Sequence, residues 1–464
     1  MTFQQCRPDR DLNFWRQMLV NVQGPLYLST LWPLVRLSTG ELMLRLPAAL
    51  AGVATIPALI WCAGPLFRSR TVALGAWLLA ISPFHIWYSQ EARGYAFVML
   101  FAVLTSGVLL RLLRDGPRLG TALAYALLAA LGVWSNMSMC FLWAAHGLTM
   151  LALRRPRTAR EWGLWTLAFG GTLVAILPWI LQASDYWAID RIVPGAETGH
   201  ALRGDTTFSP LALPFAGFTF FFGYSLGPSL RELHQPDQMA VVLAHAPLIG
   251  AAALVVGAAL LVGLFRSHGH QRWLLVWIAL PVAAVVLLAL RNIKPFNPRY
   301  LAVAFPWLLL LTAHGLAAVS RRRGGWLLAV VLSALMLWST FQNHFNERYH
   351  KADMRGAVAW VEARAVAGEP VLSPGTAQTL RYYYEGPATV LDHFNEPILW
   401  TREDVSGYLT RKLAGAETCQ IVLARSWYVD PRGHFPVVLK EDGEILEAAT
   451  VNGVRMYRWR PNSD

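Results

Sequence analysis

The chain has 464 residues, of which 55% are hydrophobic and only 15% are charged. Soluble globular proteins carry about 25% charged residues, so this composition excludes an ordinary soluble domain and indicates a membrane protein. The formal net charge is +12, but the arginines fall in short loops between apolar segments. That placement is typical of residues that orient a membrane protein, and it argues against nucleic acid as the partner.

Apolar segments that are long enough to cross a bilayer follow one another through most of the chain. A membrane-spanning helix needs about 20 predominantly apolar residues, with a range of about 17–25. Ten segments satisfy this criterion: 44–66, 71–88, 94–113, 119–135, 137–153, 162–181, 239–265, 273–290, 300–319 and 325–341. The sequence therefore predicts an α-helical polytopic membrane protein.

Two further apolar stretches do not read as ordinary spans. Residues 25–37 are too few to cross, and their pattern is typical of an amphipathic helix at the membrane surface. Residues 210–227 contain two prolines and three glycines, which predicts a broken or re-entrant helix.

Arginine-rich loops determine the predicted orientation. They lie at 68–70, 111–118, 154–160, 266–272 and 321–323. Because cytoplasmic loops are enriched in Lys and Arg, we place all five inside. The spans then alternate consistently, provided that residues 210–227 do not cross. The predicted outer face holds residues 1–43, the turns near 83–93 and Asn136, the loops 182–238 and 291–299, and everything after about 342.

The last part of the chain differs in character, being more charged and without long apolar runs. Short strand-like runs at 370–372, 389–391, 420–423 and 454–457 alternate with two helical patterns at 353–366 and 402–413. We therefore divide the chain into a first outer loop, 1–43, a transmembrane core, 44–342, and a small extracytoplasmic α/β domain, 343–464.

A first cluster of polar side chains lies at a predicted outer turn. It contains His85, Tyr88, Gln90, Glu91 and Arg93. Charged groups held at a membrane surface cost free energy unless they are paired or used. Glu91 is suited to binding a metal or orienting a sugar hydroxyl, and the fork of donors on Arg93 is suited to a phosphate. The alternative is an Arg–Glu anchor within an aromatic belt.

A second cluster lies in the predicted outer loop 291–299. It carries three positive charges, which runs against the positive-inside pattern, and Lys294, Arg299 and Tyr300 are its candidate ligands. A phosphate at the outer leaflet would explain these charges. A simple contact with lipid headgroups is the alternative.

A third cluster follows the run of phenylalanines at 220–222. Its glycines would let backbone approach a ligand closely, and Tyr224, Arg231 and His234 add polar groups. The alternative is a loop that plugs the outer vestibule.

Together these segments resemble the family 39 glycosyltransferases of the GT-C fold, the group of the protein O-mannosyltransferases and the aminoarabinose transferase. Five stretches match in the family's order over about residues 20–340. They are Gln23-Gly-Pro-Leu-Tyr-Leu, Leu44-Arg-Leu-Pro, Ser82-Pro-Phe-His with Tyr88-Ser-Gln-Glu-Ala-Arg-Gly-Tyr, Gly223-Tyr-Ser-Leu-Gly-Pro-Ser-Leu-Arg-Glu-Leu-His, and Pro298-Arg-Tyr-Leu. The Ser-Gln-Glu-Ala-Arg stretch is the most specific of them.

The resemblance implies a polyprenyl-phosphate-linked sugar as donor and an extracytoplasmic lipid, glycan or protein as acceptor, in a bacterial plasma (inner) membrane. It implies an acidic base in the first outer loop, and a divalent metal in some relatives; the metal here is unknown. On the matching positions Gln23 and Tyr27 are expected to bind substrate, with Glu91 as a catalytic residue.

The chain departs from the family at its start. Relatives have an additional span and an Asp-Glu pair upstream of the first motif, where they carry His in place of Gln23. Asp9 and Asp11 are the acids available here. We take Asp11 as the candidate base, and we expect a missing first span upstream of Met1.

Two other classes of protein compete with a transferase. A transporter or flippase would carry ionisable residues in mid-span, and the predicted spans are nearly free of them. A catalytically inactive scaffold that uses its C-terminal domain to bind envelope partners remains open because the acidic pair is missing.

Overall fold

The computed structural model describes residues 24–183, 208–234, 237–291, 296–391 and 398–462. It divides into two compact units. The larger unit comprises residues 2–223 and 249–340, and the smaller comprises 224–248 and 341–464 together with Met1. The sequence-based division left 224–238 in the membrane core, whereas the structure groups it with the C-terminal domain.

Apolar helices build the larger unit. Its helices, with the two that continue into the smaller unit, are α1 (Pro25–Leu34), α2 (Glu41–Ala63), α3 (Ser69–Ile81), α4 (Pro83–Ser89), α5 (Tyr95–Asp115), α6 (Leu119–Ser135), α7 (Met139–Leu153), α8 (Ala159–Ala183), α9 (Ala212–Phe222), α11 (Ala246–Arg266), α12 (Trp273–Leu290), α13 (Phe305–Val319) and α14 (Trp326–Phe345). The short α10 (Gln238–Ala244) precedes α11. Six helices in the described ranges are long and apolar enough to cross a membrane, or up to seven if the bent pair α3–α4 is one span. The chain is a multi-pass membrane protein.

The predicted span 71–88 is broken at Ser82. Proline at position 83 lacks a backbone N–H and favours the first turn of a new helix. The Ser82 hydroxyl caps that helix by accepting the backbone N–H of His85 at 3.2 Å, and it donates to the Phe220 carbonyl at 3.1 Å. As a result α3 and α4 meet at a bend of 56°.

The helix predicted for residues 25–37 is present as α1, but its apolar face is covered by protein. Tyr27, Leu28 and Leu31 are at most 2% exposed, and the Tyr27 hydroxyl donates to the Leu44 carbonyl of α2. Gly24 precedes the helix at φ 86°, and a Cβ there would overlap the carbonyl at the end of α6. Protein therefore covers much of the apolar face that was assigned to the membrane surface, because the same apolar pattern suits lipid or protein. The position of α1 at the membrane surface stays a prediction.

The stretch 210–227 forms one helix, α9, followed by irregular backbone. Eleven residues give a helix of about 16 Å, roughly half of the hydrocarbon thickness of a bilayer. The helix ends at Gly223, whose φ of 57° is the left-handed conformation that glycine adopts without strain.

One five-stranded sheet organises the smaller unit. Its strands are β1 (Pro370–Leu372), β2 (Thr389–Val390), β3 (Cys419–Ala424), β4 (Gly443–Val451) and β5 (Val454–Pro461), in the order β2-β1-β3-β5-β4. Strand β1 pairs in parallel with β2 and β3, and β5 is antiparallel to β3 and β4. The helices are α15 (Met354–Glu362), α16 (Ala377–Tyr383), α17 (Arg402–Lys412) and α18 (Phe435–Glu441). The predicted small α/β domain is confirmed; the sequence pattern missed β4, α16 and α18.

The core of the smaller unit lies on both faces of strand β3. Strand β3 is buried along all six residues, since helices and loops cover both of its faces. One cluster of buried apolar side chains forms on each face, around Ile421 and Tyr408 on one side and Val422 and Val358 on the other.

Candidate functional site

A half-buried cation, Arg299, lies where the backbone turns into α13. Residues Pro298–Leu301 form a 3-10 turn that begins with proline, and the Asn297 side chain caps it by accepting the Arg299 N–H at 3.2 Å. The turn therefore holds the Arg299 side chain at a fixed position in front of the helix.

Tyrosines, and not carboxylates, surround the Arg299 guanidinium. Its Cζ lies 5.3 Å from the Tyr300 ring centre and 5.9 Å from that of Tyr95, and one terminal nitrogen lies 3.5 Å from the Tyr300 hydroxyl. Its Nε is buried without a hydrogen-bond acceptor. Over the described ranges no carboxylate reaches ion-pair distance of this side chain. A half-buried cation with unused donors is arranged to accept an anion.

An aromatic wall continues from this cation into the helices. The Tyr95 and Tyr88 rings are in edge contact at 5.0 Å, and Tyr88 contacts Phe84 at 4.6 Å. Phe84 in turn contacts Phe220 of α9 and Phe305 of α13. These rings pack Tyr95 against the neighbouring helices.

Glu91 and Arg93 reach the same place from the short loop between α4 and α5. Both residues are half-buried. Arg93 and Glu91 lie two and four residues before Tyr95 in the chain, and the Tyr95 ring centre lies 5.9 Å from the Arg299 Cζ, so residues of both predicted clusters lie near this tyrosine. Gln90 ends α4, and its backbone N–H donates to the Ile86 and Trp87 carbonyls at 3.2 Å each. The tertiary structure thus joins the first two clusters.

A close backbone contact fixes the loop that carries Glu91 and Arg93. A Cβ on Gly94 would lie only 2.5 Å from the carbonyl oxygen of Ser135, the last residue of α6. We expect Gly94→Ala to lower the free energy of unfolding by about 1–3 kcal/mol, because backbone on both sides must move. Thermal unfolding in detergent measures this.

Gly120→Ala is the matched control for that change, since a Cβ at Gly120 meets nothing within 4 Å. An unchanged midpoint for Gly94→Ala would contradict the contact.

Other residues predicted for the site are largely buried by the helices around them. His85 is 4% exposed on α4, where it faces Gly52 of α2, and Tyr27 is 2% exposed within α1. Tyr88 is buried in the aromatic wall. A substrate contact for these three stays a prediction. Asp11, Gln23 and Lys294 lie outside the described residues.

The third cluster belongs to the smaller unit. Arg231 donates to the Asn452 side chain at 3.1 Å, and the His234 ring stacks on Trp427 with centres 4.9 Å apart. Tyr224, Arg231 and His234 are thus grouped with the C-terminal domain, and their predicted binding of substrate stays a prediction. Local sequence patterns did not reveal the partners of Arg231 and His234, which lie more than 100 residues away.

An ion pair that the sequence did not indicate ties this segment to the C-terminal domain. Arg348 donates to the Glu232 carboxylate at 2.9 Å, and Tyr349 donates to the Gly227 carbonyl at 2.7 Å. Burial alone would raise the pKa of Glu232, but hydrogen bonds from Arg348 and Ser229 outweigh it and lower that pKa.

The described residues contain no group of three or more His, Cys, Asp or Glu side chains placed to hold an ion. Metal binding by Glu91 therefore stays a prediction.

No protein-family model matches the chain. No curated protein matches it in sequence. Solved structures do match along most of its length. ArnT from Cupriavidus metallidurans is 15% identical with a TM-score of 0.41, over 94% of this chain and 87% of that one.

The archaeal oligosaccharyltransferase AglB from Archaeoglobus fulgidus, in complex with an inhibitory peptide and a dolichol-phosphate, is 12% identical with a TM-score of 0.47. The match covers 94% of this chain and 66% of AglB. The mycobacterial arabinofuranosyltransferase AftD is 17% identical with a TM-score of 0.42, over 90% of this chain and 35% of AftD. The chain's own helices and sheet define its class: a helical multi-pass membrane protein with a small C-terminal α/β domain.

Proposed function

We propose that this protein is a membrane glycosyltransferase that moves a sugar from a polyprenyl-phosphate donor to an extracytoplasmic acceptor. The observation that carries the proposal is the Arg299 guanidinium, half-buried among tyrosines with an unused Nε donor. A lipid phosphate is an anion that arrives with its own apolar chain, so it suits a cation surrounded by apolar helices. The match of the Ser-Gln-Glu-Ala-Arg stretch to the family 39 enzymes supports the same assignment.

Arg299 is the main phosphate ligand in this proposal. Its guanidinium presents several donors in a planar fork, which pairs with two phosphate oxygens at once. Arg93, two residues before Tyr95 in the chain, is the second cation, and Lys294 is a third candidate from the neighbouring loop. The Tyr300 hydroxyl, 3.5 Å from Arg299, orients the fork.

Sugar transfer then proceeds by a single displacement. The acceptor oxygen bonds to the anomeric carbon while the bond from that carbon to the phosphate oxygen breaks. The electron pair stays on the leaving phosphate, where Arg299 and Arg93 stabilise the added charge. The acceptor proton passes to a carboxylate base, for which Asp11 is the candidate. Glu91 accepts hydrogen bonds from the sugar hydroxyls. It thereby holds the anomeric carbon in line between the acceptor oxygen and the leaving phosphate.

We place the site on the outer side of a bacterial plasma membrane. The five arginine-rich loops support this orientation, because Lys and Arg concentrate on the cytoplasmic side. A donor in the outer leaflet then meets an acceptor in the periplasm or exterior.

Glu91→Gln tests the proposed role of this carboxylate. Membranes with the parent chain or the variant are incubated with radiolabelled polyprenyl-phosphate sugars, and the release of free lipid phosphate is measured. We expect release by the parent and a loss of about a hundredfold in the variant, because the amide cannot accept as the carboxylate does.

Glu347→Gln serves as control, since Glu347 is exposed in the other unit. Equal release by the parent and Glu91→Gln would contradict the assignment of Glu91. No release with any donor from a folded parent would contradict the transferase and favour a binding scaffold.

A further inference from the structure

A crevice opens at one edge of the C-terminal sheet. Strands β1, β2 and β3 are parallel, so their carboxyl ends share that edge. In the order β2-β1-β3-β5-β4, the strand that follows β1 in the chain lies on one side of the β1–β3 pair. The two strands that follow β3 lie on the other side. Connections that diverge from adjacent parallel strands create a crevice between them, which is where open α/β sheets bind ligands.

Loops after β1 and β3 meet at this crevice. The Thr376 hydroxyl donates to the Ala424 carbonyl at 3.4 Å. Gly375 has a φ of 71°, and a Cβ there would lie 3.3 Å from the Val429 side chain. We call the longer of the two loops, Arg425–His434, the β3 loop.

The β3 loop carries three buried polar atoms that have no hydrogen-bond partner among the residues that the structure describes. They are the indole N–H of Trp427, Oδ1 of Asp430 and Nε2 of His434. Asp430 is only 2% exposed, and its other oxygen accepts the Phe435 N–H at 2.9 Å. An unpaired buried polar group destabilises the fold, so three within eight residues call for a partner that supplies both donors and acceptors.

Backbone strain and exposed aromatic surface occur in the same loop. Arg425 has a φ of 51°, the only positive value of a non-glycine residue in the described ranges. Tyr428 is 44% exposed and its ring lies 6.0 Å from that of Trp427, while His234 covers another part of Trp427. Strained backbone of this kind is concentrated at ligand sites.

We infer that the β3 loop is a binding site for a neutral, hydroxyl-rich ligand, namely the sugar of a glycan. A hydroxyl both donates and accepts, so adjacent sugar hydroxyls satisfy the Asp430 acceptor and the Trp427 donor together. The Asp430 carboxylate disfavours an anion, and the Trp427 N–H disfavours a metal ion. The apolar faces of a sugar ring suit the exposed Tyr428 ring.

The three atoms are shielded from solvent in this structure, so the ligand reaches them when Tyr428 and the β3 loop move outward. Binding then replaces three unpaired groups with hydrogen bonds. The site requires no transfer reaction, and it therefore goes beyond the proposed function.

Two conservative variants test the site in the full-length protein in detergent. Trp427→Phe removes the N–H and keeps the ring. Asp430→Asn keeps an oxygen for the Phe435 N–H and turns the free acceptor into a donor. Binding is measured on an array of immobilised neutral oligosaccharides built from pentoses and hexoses, without any lipid donor. We expect the parent to bind a subset and each variant to bind about tenfold more weakly.

Trp400→Phe is the matched control, because Trp400 is a 41% exposed tryptophan of the same unit. It is expected to bind as the parent does. The inference is overturned if the folded parent binds no neutral oligosaccharide, if either test variant binds like the parent, or if hydroxyl-bearing peptides bind and sugars do not. Because no donor is present, failure of the transferase proposal leaves this result unaffected.

Discussion

Replacing Arg299 by alanine is expected to lower the release of free lipid phosphate by about a hundredfold to a thousandfold, the usual cost of removing one preorganised donor. The guanidinium is half-buried beside Tyr300 and Tyr95, and its Nε meets no acceptor in the part of the chain that the structure describes. Its donors are therefore available when charge develops on the leaving phosphate. Arg299→Lys keeps the charge and loses the fork, so an intermediate rate is expected. Initial rates at saturating donor measure both.

Arg291→Ala is the control for this prediction. Arg291 is an exposed arginine at the end of α12, a few residues before the 3-10 turn of Arg299. A general electrostatic attraction of the donor would make both alanine variants equally slow. A parental rate for Arg299→Ala, with Arg291→Ala also unchanged, would remove Arg299 from the site.

Gly315→Leu is expected to cause the largest loss of stability in the larger unit. A Cβ on Gly315 would overlap the Ala259 carbonyl of α11, and a Cβ on Gly263 would overlap the Leu311 carbonyl of α13. Small residues four apart let two membrane helices approach until their backbones touch. Backbone on both sides leaves no flexible group to give way, so we expect a loss of about 3 kcal/mol or more in the free energy of unfolding.

Thermal unfolding in detergent, followed by size-exclusion chromatography, measures this loss. Gly257→Leu is the matched control, because Gly257 lies on the same α11 helix and a Cβ there meets nothing within 4 Å. A leucine raises helix propensity over glycine at either position, so only the packing differs. If Gly315→Leu unfolds at the parental temperature, the two helices do not cross at these glycines.

Much of the architecture follows from local sequence patterns. Apolar segments of about 20 residues form helices because lipid offers no partner for backbone N–H and C=O groups, so the hydrogen bonds must be internal. A helix lies at each of the ten predicted spans, including the broken pair at Ser82. The strands that hold the buried core of the C-terminal sheet were also predicted, because β1 and β3 are short apolar runs.

Local patterns did not reveal which apolar surfaces meet protein and which meet lipid. Tyr27 and Leu31 are buried against neighbouring helices, although the same pattern suited a helix on the membrane surface. The edge strand β4 escaped prediction because its nine residues are largely exposed and lack the buried apolar run of β1 and β3. The helices α16 and α18 escaped it because each has only seven residues and depends on the sheet for its stability.

The sequence by itself determined the class of the chain, its helices and the residue types available for chemistry. Hydropathy and charge are properties of each segment, and they act before any two segments meet. Only the tertiary structure shows that Arg299 lies beside Tyr95, about two hundred residues earlier in the chain. Only the tertiary structure shows that Arg231 and His234 contact residues of the C-terminal domain. Those contacts depend on packing between segments that are distant in the chain. Examples are the close approach of the Gly94 backbone to the Ser135 carbonyl and the ion pair between Arg348 and Glu232.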